Sequence, residues 1–238
     1  MKNVHDAIRF SWCLLVLALW TAPCRADDSL RGVFVVGVDL GELPWHGSFK
    51  PGITLGYHFN EYAYVGVIYQ LADTIQRDAS SFNAQASGLD GLVSSRERVS
   101  SRALLHVRLR PHRLAPFVSL GVVYNGRDVE SLRFDARPRT IGEESYTGPI
   151  AFSQARPAGI AAAIGLGYGY TFDNGLELSV EWTGAPYAKA PAPELSFDAE
   201  SPLAESARAK LTADITRDFR SSVFNVYHVF HLGAGYAF

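Results

Sequence analysis

Glu177 and Glu181, Arg108 and Arg110, and the histidines His106 and His231 are the side chains best placed to do chemistry in this chain. Each falls on one parity of a segment that alternates apolar and polar residues every second position. Arg31 falls on the same parity of the first such segment. Carboxylates and imidazoles so spaced can exchange protons as general acids and bases, while the guanidiniums stay charged. They can also pair with one another where water is scarce, because an unpaired charge away from water is costly. Nucleophilic catalysis would further require a serine, cysteine or threonine within hydrogen-bond reach of a base.

The elements that must position these groups are strands. Residues 30–41, 52–59, 62–72, 99–110, 116–125, 159–172, 176–184 and 223–238 each alternate with period two, the signal of a strand with unlike faces. In 223–238 the apolar parity is Phe224, Val226, Phe230, Leu232, Ala234, Tyr236 and Phe238, interrupted by His228. The other parity carries Tyr227, Val229 and His231 and then shrinks to Gly233 and Gly235. Asp173, Asn174 and Gly175 supply a hairpin turn suited to positive φ. The eight strands are joined by short turns that alternate with long connections, about 41–51, 73–98, 126–158 and 185–222. All short turns therefore lie at one end. The long segments read as loops, with one helix expected after Ser201 and Pro202, where Leu203, Ala207, Leu211 and Ile215 recur every fourth residue.

The N-terminus has the layout of a secretory signal: Lys2 and Arg9, an apolar run over 10–20, and Ala26 before Asp27. That run is too short for a membrane-spanning helix. The expected organisation is a signal peptide at 1–26, cleaved on export, and a single barrel domain at 27–238. Cys13 and Cys24 leave with the signal, which excludes disulfides and thiolate metal sites. The formal charge of −2 gives no nucleic-acid footprint. Histidines are dispersed and no carboxylate cluster has calcium-loop spacing, so no metal or other cofactor is expected.

Alternation alone does not say whether the apolar parity faces lipid or a dry core. A soluble barrel would put polar residues in water, whereas the second parity of 159–171 is mostly glycine and alanine, which suits a cramped interior. Tyr57, Phe59, Tyr62, Phe117, Tyr170, Phe172, Tyr236 and Phe238 cluster at the short-turn ends, and Trp45, Tyr69, Tyr124 and Trp182 toward the long-loop ends. Two such belts are expected where aromatic rings meet lipid headgroups.

The strand count, the loop asymmetry, the terminal residues Gly235, Tyr236, Ala237 and Phe238, and the strand-like stretches 115–124 and 165–168 resemble the small eight-stranded bacterial outer-membrane β-barrels of the OmpA, OmpX and OmpW type. The resemblance implies an all-β, antiparallel up-and-down transmembrane barrel in a Gram-negative outer membrane. It implies contact with outer-membrane lipid and lipopolysaccharide. It also implies a C-terminal assembly signal, made by Phe230, Leu232, Tyr236 and Phe238, that the barrel-assembly machinery reads. An external ligand would meet the long loops. The role expected is structural or surface-interacting, without catalysis, with Arg31, Arg108, Arg110, Glu177, Glu181, His106 and His231 forming a charge network that plugs the lumen. The alternatives are a narrow channel for small solutes and an outer-leaflet lipid A hydrolase. Such hydrolases carry a His-x-Ser pair on a strand face; here His46 and Ser48 alone have that spacing, and they sit in the first loop.

Overall fold

The computed structural model describes residues 30–41, 49–80, 89–112, 114–189, 191–198, 202–221 and 226–238. The signal-peptide segment and the His46/Ser48 pair lie outside them. Eight strands close a barrel: β1 (Val33–Gly41), β2 (Lys50–His58), β3 (Ala63–Gln70), β6 (Arg102–Leu109), β7 (Phe117–Asn125), β10 (Gly159–Thr171), β11 (Leu176–Lys189) and β13 (Val226–Ala237). Every neighbouring pair is antiparallel, in the order β1-β13-β11-β10-β7-β6-β3-β2. The chain's last strand closes on its first, with Val36 opposite Tyr236 and Leu40 opposite Leu232. The backbones of Phe34 and Phe238 exchange hydrogen bonds of 3.1 and 2.9 Å at the seam.

The outward parity is apolar on all eight strands. Phe34, Val38, Ile53, Leu55, Val67, Leu105, Val122, Ile164, Leu166, Val180, Trp182 and Leu232 all stand exposed, Leu166 to 67 %. Water would not tolerate a continuous apolar girdle of this extent on a monomer, whereas lipid demands one. The inward parity is crowded because glycines make room for large side chains from the same or a neighbouring strand. A Cβ at Gly56 or Gly66 would collide with the Tyr64 hydroxyl, and one at Gly233 with the His231 ring. At the short-turn end, Asn60 Oδ1 accepts from the amides of Tyr62 and Ala63. Gly175, at φ 87°, completes the turn into β11 with Asn174 capping Leu176.

Beyond the barrel the structure corrects the expectation of long loops. Within 73–98, 126–158 and 185–222 the chain forms β4 (Asp73–Asp78), β5 (Leu92–Val99), β8 (Asp128–Ile141), β9 (Glu144–Arg156) and β12 (Glu194–Phe197), a second sheet in the order β12-β9-β8-β5-β4. Residues 99–110, expected as one strand, are divided between β5 and β6. The helix α1 (Glu205–Ser221) lies on this sheet. Leu203 and its buried residues Ala207, Leu211 and Ile215 pack with Leu132, Phe134, Ile141, Ile150 and Phe152. Phe152 stacks on Phe134 at 5.9 Å and meets Phe197 at 5.5 Å. This is a core of its own, a sheet and a helix covering each other's apolar faces. The other flank of α1 is solvated, with Asp214 bound to Lys210 at 2.8 Å and to Arg217 at 3.0 Å.

The two sheets meet along a line at which four strands each carry an extra residue. The buried parity of β3 is even (Tyr64, Ile68, Gln70), but the buried residue of β4 is Ile75. The buried parity passes from odd in β5 (Ser95, Glu97, Val99) to even in β6 (Arg102, Leu104, His106). The same slip separates β7 from β8 and β9 from β10. Residues 71–72, 100–101, 126–127 and 157–158, all outside the ladders, absorb it. An extra residue reverses which face the following side chains take and bends the strand.

Candidate functional site

The lumen is organised around one guanidinium. Arg108 on β6 donates from Nε to Glu181 Oε2 at 2.8 Å and approaches Glu177 Oε1 to 3.6 Å, both on β11. Its guanidinium lies 4.7 Å from the ring centroids of both Tyr64 and Phe117. Phe117, expected in the aromatic belt, turns inward and is buried under this charge. The second oxygen of Glu181 takes His106 Nδ1 at 2.8 Å and the Thr183 hydroxyl at 2.6 Å. Glu177 is held by His58 Nε2 at 2.9 Å and by the Thr171 hydroxyl at 3.2 Å. Glu181 thus meets three donors and Glu177 two, each from another strand or a flanking residue. Charge-assisted bonds of this kind offset the desolvation that a lone carboxylate would suffer.

A second cluster lies on the β1 side. Gln70 donates to Asp39 Oδ2 at 3.0 Å and to the Phe230 carbonyl at 2.6 Å. His231 Nε2 meets the Ser179 hydroxyl at 2.8 Å, while its Nδ1 lies 3.5 Å from Asp39 Oδ2. Serine, histidine and aspartate in that order have the arrangement of an acyl-transfer triad. All three are buried, His231 to 1 % exposure, so a substrate carbonyl has no approach to the hydroxyl. The fully buried Lys50 bonds the carbonyl of Ser100 at the top of the barrel.

One step further from the short turns, the inward residues of six of the eight strands, all but β1 and β2, become apolar. Ile68, Leu104, Val123, Ala163, Ala185, Tyr227 and Val229 form a dry layer across the lumen. Toward the short turns the network opens onto a vestibule of about 20 Å³, bordered by His58, Tyr64, Arg110 and Glu177. Eight strands enclose no more than side chains can fill, and here they fill it twice over, with charges and then with hydrocarbon.

Of the residues singled out from the sequence, the structure brings His106, Arg108, Glu177 and Glu181 together and places His231 in the adjoining cluster. Two lie elsewhere. Arg31 is exposed in the turn before β1, outside the lumen. Arg110 sits at the rim, where it donates to the carbonyls of Glu61 and Gly169 and ties two short-turn regions together. Asp39, His58, Tyr64 and Gln70 complete the arrangement and were not anticipated, although all four share the inward parity of their strands. Phe230, Leu232, Tyr236 and Phe238 share the outward face of β13; Leu232 and Phe238 are more than half exposed. Among the described residues no three histidine or acidic side chains gather as metal ligands.

Above the slip line, buried polar groups pair within the second sheet. Glu97 takes Arg77 at 2.9 Å and Arg156 at 3.2 Å, and Glu130 accepts from Gln154 at 2.7 Å. Burial pushes the Glu97 carboxyl up, with Arg156 and Arg77 opposing.

No known family model matches the chain, and no curated protein sequence does either. Solved structures do. CarO2 of Acinetobacter baumannii superposes with a TM-score of 0.58 at 14 % identity, over 87 % of this chain and 98 % of that one. CarO of the same organism gives 0.55 at 15 % identity, over 86 % and 97 %. Both are small eight-stranded outer-membrane barrels. This chain has their fold. At such identities the likeness extends to the barrel as a fold, and function has to be argued from the residues themselves.

Proposed function

We propose that this protein is an integral outer-membrane β-barrel whose lumen is a structural plug and whose working surface is the sheet and helix beyond the slip line. On this reading the long-connection end faces the cell exterior, and the role is structural or surface-interacting rather than catalytic. The observation that carries it is the double filling of the lumen, by an ion-paired charge network centred on Arg108 and by an apolar layer beyond it. The enclosure of Ser179 and His231 argues against hydrolysis. The outward His228 has its Nδ1 on the Val226 carbonyl at 3.0 Å and shares its strand face with no serine. Planar-bilayer recording of the refolded mature chain tests the reading. Insertion without steady single-channel current is expected, and a reproducible unitary conductance would replace the plug with a narrow solute channel.

The C-terminal face of β13 is proposed as the signal for the assembly machinery. The Phe238 ring is 56 % exposed and lies 6.5 Å from the Phe34 ring, while the seam itself is closed by backbone atoms. Phe238→Ala therefore leaves unassisted refolding in detergent near normal and lowers the amount inserted in cells severalfold. Equal cellular levels of variant and wild type would remove the signal role.

A further inference from the structure

The face of the second sheet turned away from α1 carries an ordered set of donors that neither the plug nor the sheet–helix core uses. Its three rungs follow from the ladder register. Nearest the barrel stand Thr74, Arg98 and Val129; above them Gln76, Arg96 and Ser131; above these Asp78, Ser94 and Arg133. Arg96, Arg98 and Arg133 are exposed. They occupy successive rungs about 7 Å apart along the strands, close enough for long side chains to converge. Between them lie hydroxyls and an amide; Ser131 and Ser153 join at 2.9 Å. Acidic groups on this face stand at its corners: Asp78 and Asp198 level with the top rung, and Glu194, which neutralises Arg127 at 3.0 Å. Asp135 is committed to Arg137 and Arg139 near the sheet's far end. The centre of the face is thus cationic and rich in donors.

This face also continues the apolar girdle. Arg98 is followed five residues on, across the slip line at 100–101, by the outward Ala103, and Ala103 pairs with both Tyr69 and Tyr124, which mark the upper aromatic belt. A lipid whose chains lie along Val67, Leu105 and Val122 would place its headgroup against Arg98 and Arg96. Beside Arg133 opens a recess of about 290 Å³, bordered by Val93, Pro149 and Ala151, with room for a sugar ring.

We infer that Arg98, Arg96 and Arg133 form a binding site for the phosphorylated sugar headgroup of an outer-leaflet glycolipid. Planar guanidiniums match phosphate oxygens two at a time. Charge complementarity selects a phosphate, and continuity with the lipid-facing surface selects a membrane-held one over a soluble one. The inference rests on the outer-membrane reading, because only there does such a lipid meet this face.

The test uses the refolded mature chain in nanodiscs containing lipid A or its dephosphorylated form, with retained lipid counted by native mass spectrometry after extraction. Wild type should retain lipid A and not the dephosphorylated lipid. The double variant Arg96→Gln/Arg98→Gln should lose retention roughly tenfold, as expected for two weakened guanidinium–phosphate pairs. Arg96→Lys/Arg98→Lys should recover part of it. Equal retention by the glutamine variant, or retention that ignores the phosphates, would overturn the site, as would displacement by millimolar inorganic phosphate. A heat-dependent gel shift reports barrel insertion separately. Its absence in wild type would sink the outer-membrane reading and this inference with it; its presence alongside unchanged lipid retention in the glutamine variant would sink the inference alone.

Discussion

Glu181→Ala is expected to destabilise the barrel by about 3–5 kcal/mol, the cost of stranding one member of a buried ion pair. The carboxylate accepts from Arg108, His106 and Thr183 at 2.6–2.8 Å. Removing it leaves a guanidinium and an imidazole facing hydrocarbon and each other. Glu177 cannot substitute, since it stands 3.6 Å from Arg108 and is already engaged by His58 and Thr171. The cause is separable from simple loss of volume. In Glu181→Ala/Arg108→Met the orphaned charge is gone, while Glu177 keeps its own donors. The double variant should lose less stability than the single one, with a coupling of about 1–3 kcal/mol. Urea midpoints of the protein refolded into vesicles measure both. A single variant as stable as wild type would mean that water enters the lumen freely, and the plug would not be dry.

Phe152→Ala is expected to melt the sheet–helix unit and leave the barrel standing. Phe152 is 1 % exposed, stacks on Phe134 and touches Phe197, so truncation opens a cavity against α1. Such truncations cost about 3–5 kcal/mol. A small core supported by one helix has little reserve to meet that loss. The lumen network lies on the other side of the slip line and has no part in that core. Protease added to intact cells should cut the variant within 128–156 or 194–221 while the remaining barrel still shows its heat-dependent gel shift. Simultaneous loss of the shift would show that barrel and outer unit unfold together.

The outward face of all eight barrel strands was legible in the sequence because one environment, lipid, requires apolar side chains at every second position. Leu203, Ala207, Leu211 and Ile215 likewise announced α1, since a sheet beneath it demands one apolar stripe. The second sheet was hidden for a physical reason. Its buried parity near the barrel is polar, with Gln154 donating to Glu130, Ser95 to the Ser80 carbonyl, and Arg77 and Arg156 to Glu97, so hydropathy does not alternate where the structure does. The apolar pairs Leu132 with Phe134 and Ile150 with Phe152 signal a face only once α1, far along the chain, is known to cover it. In the lumen, parity pointed inward for Glu177, Glu181, His106 and Arg108. Partnership did not follow, because the stagger of the strands decides which residues meet across the barrel. Parity pointed equally at Asp39, His58 and Gln70; their isolation among glycines and apolar residues masked them. Arg31 had the parity but lies before the ladder begins.

The slip line has a consequence for how the gene can change length. A codon lost or gained within one of the four continuous strands would turn one side of that strand inside out, exchanging lipid-facing leucines for lumen charges or baring the core under α1. Compensation would require a matching change at the same level of the chain. The β8–β9 tip, where Gly142 turns at φ 66°, carries no such phase. Length variation among natural variants should therefore gather at that tip and avoid residues 71–72, 100–101, 126–127 and 157–158. A peptide grafted for surface display belongs at the tip for the same reason.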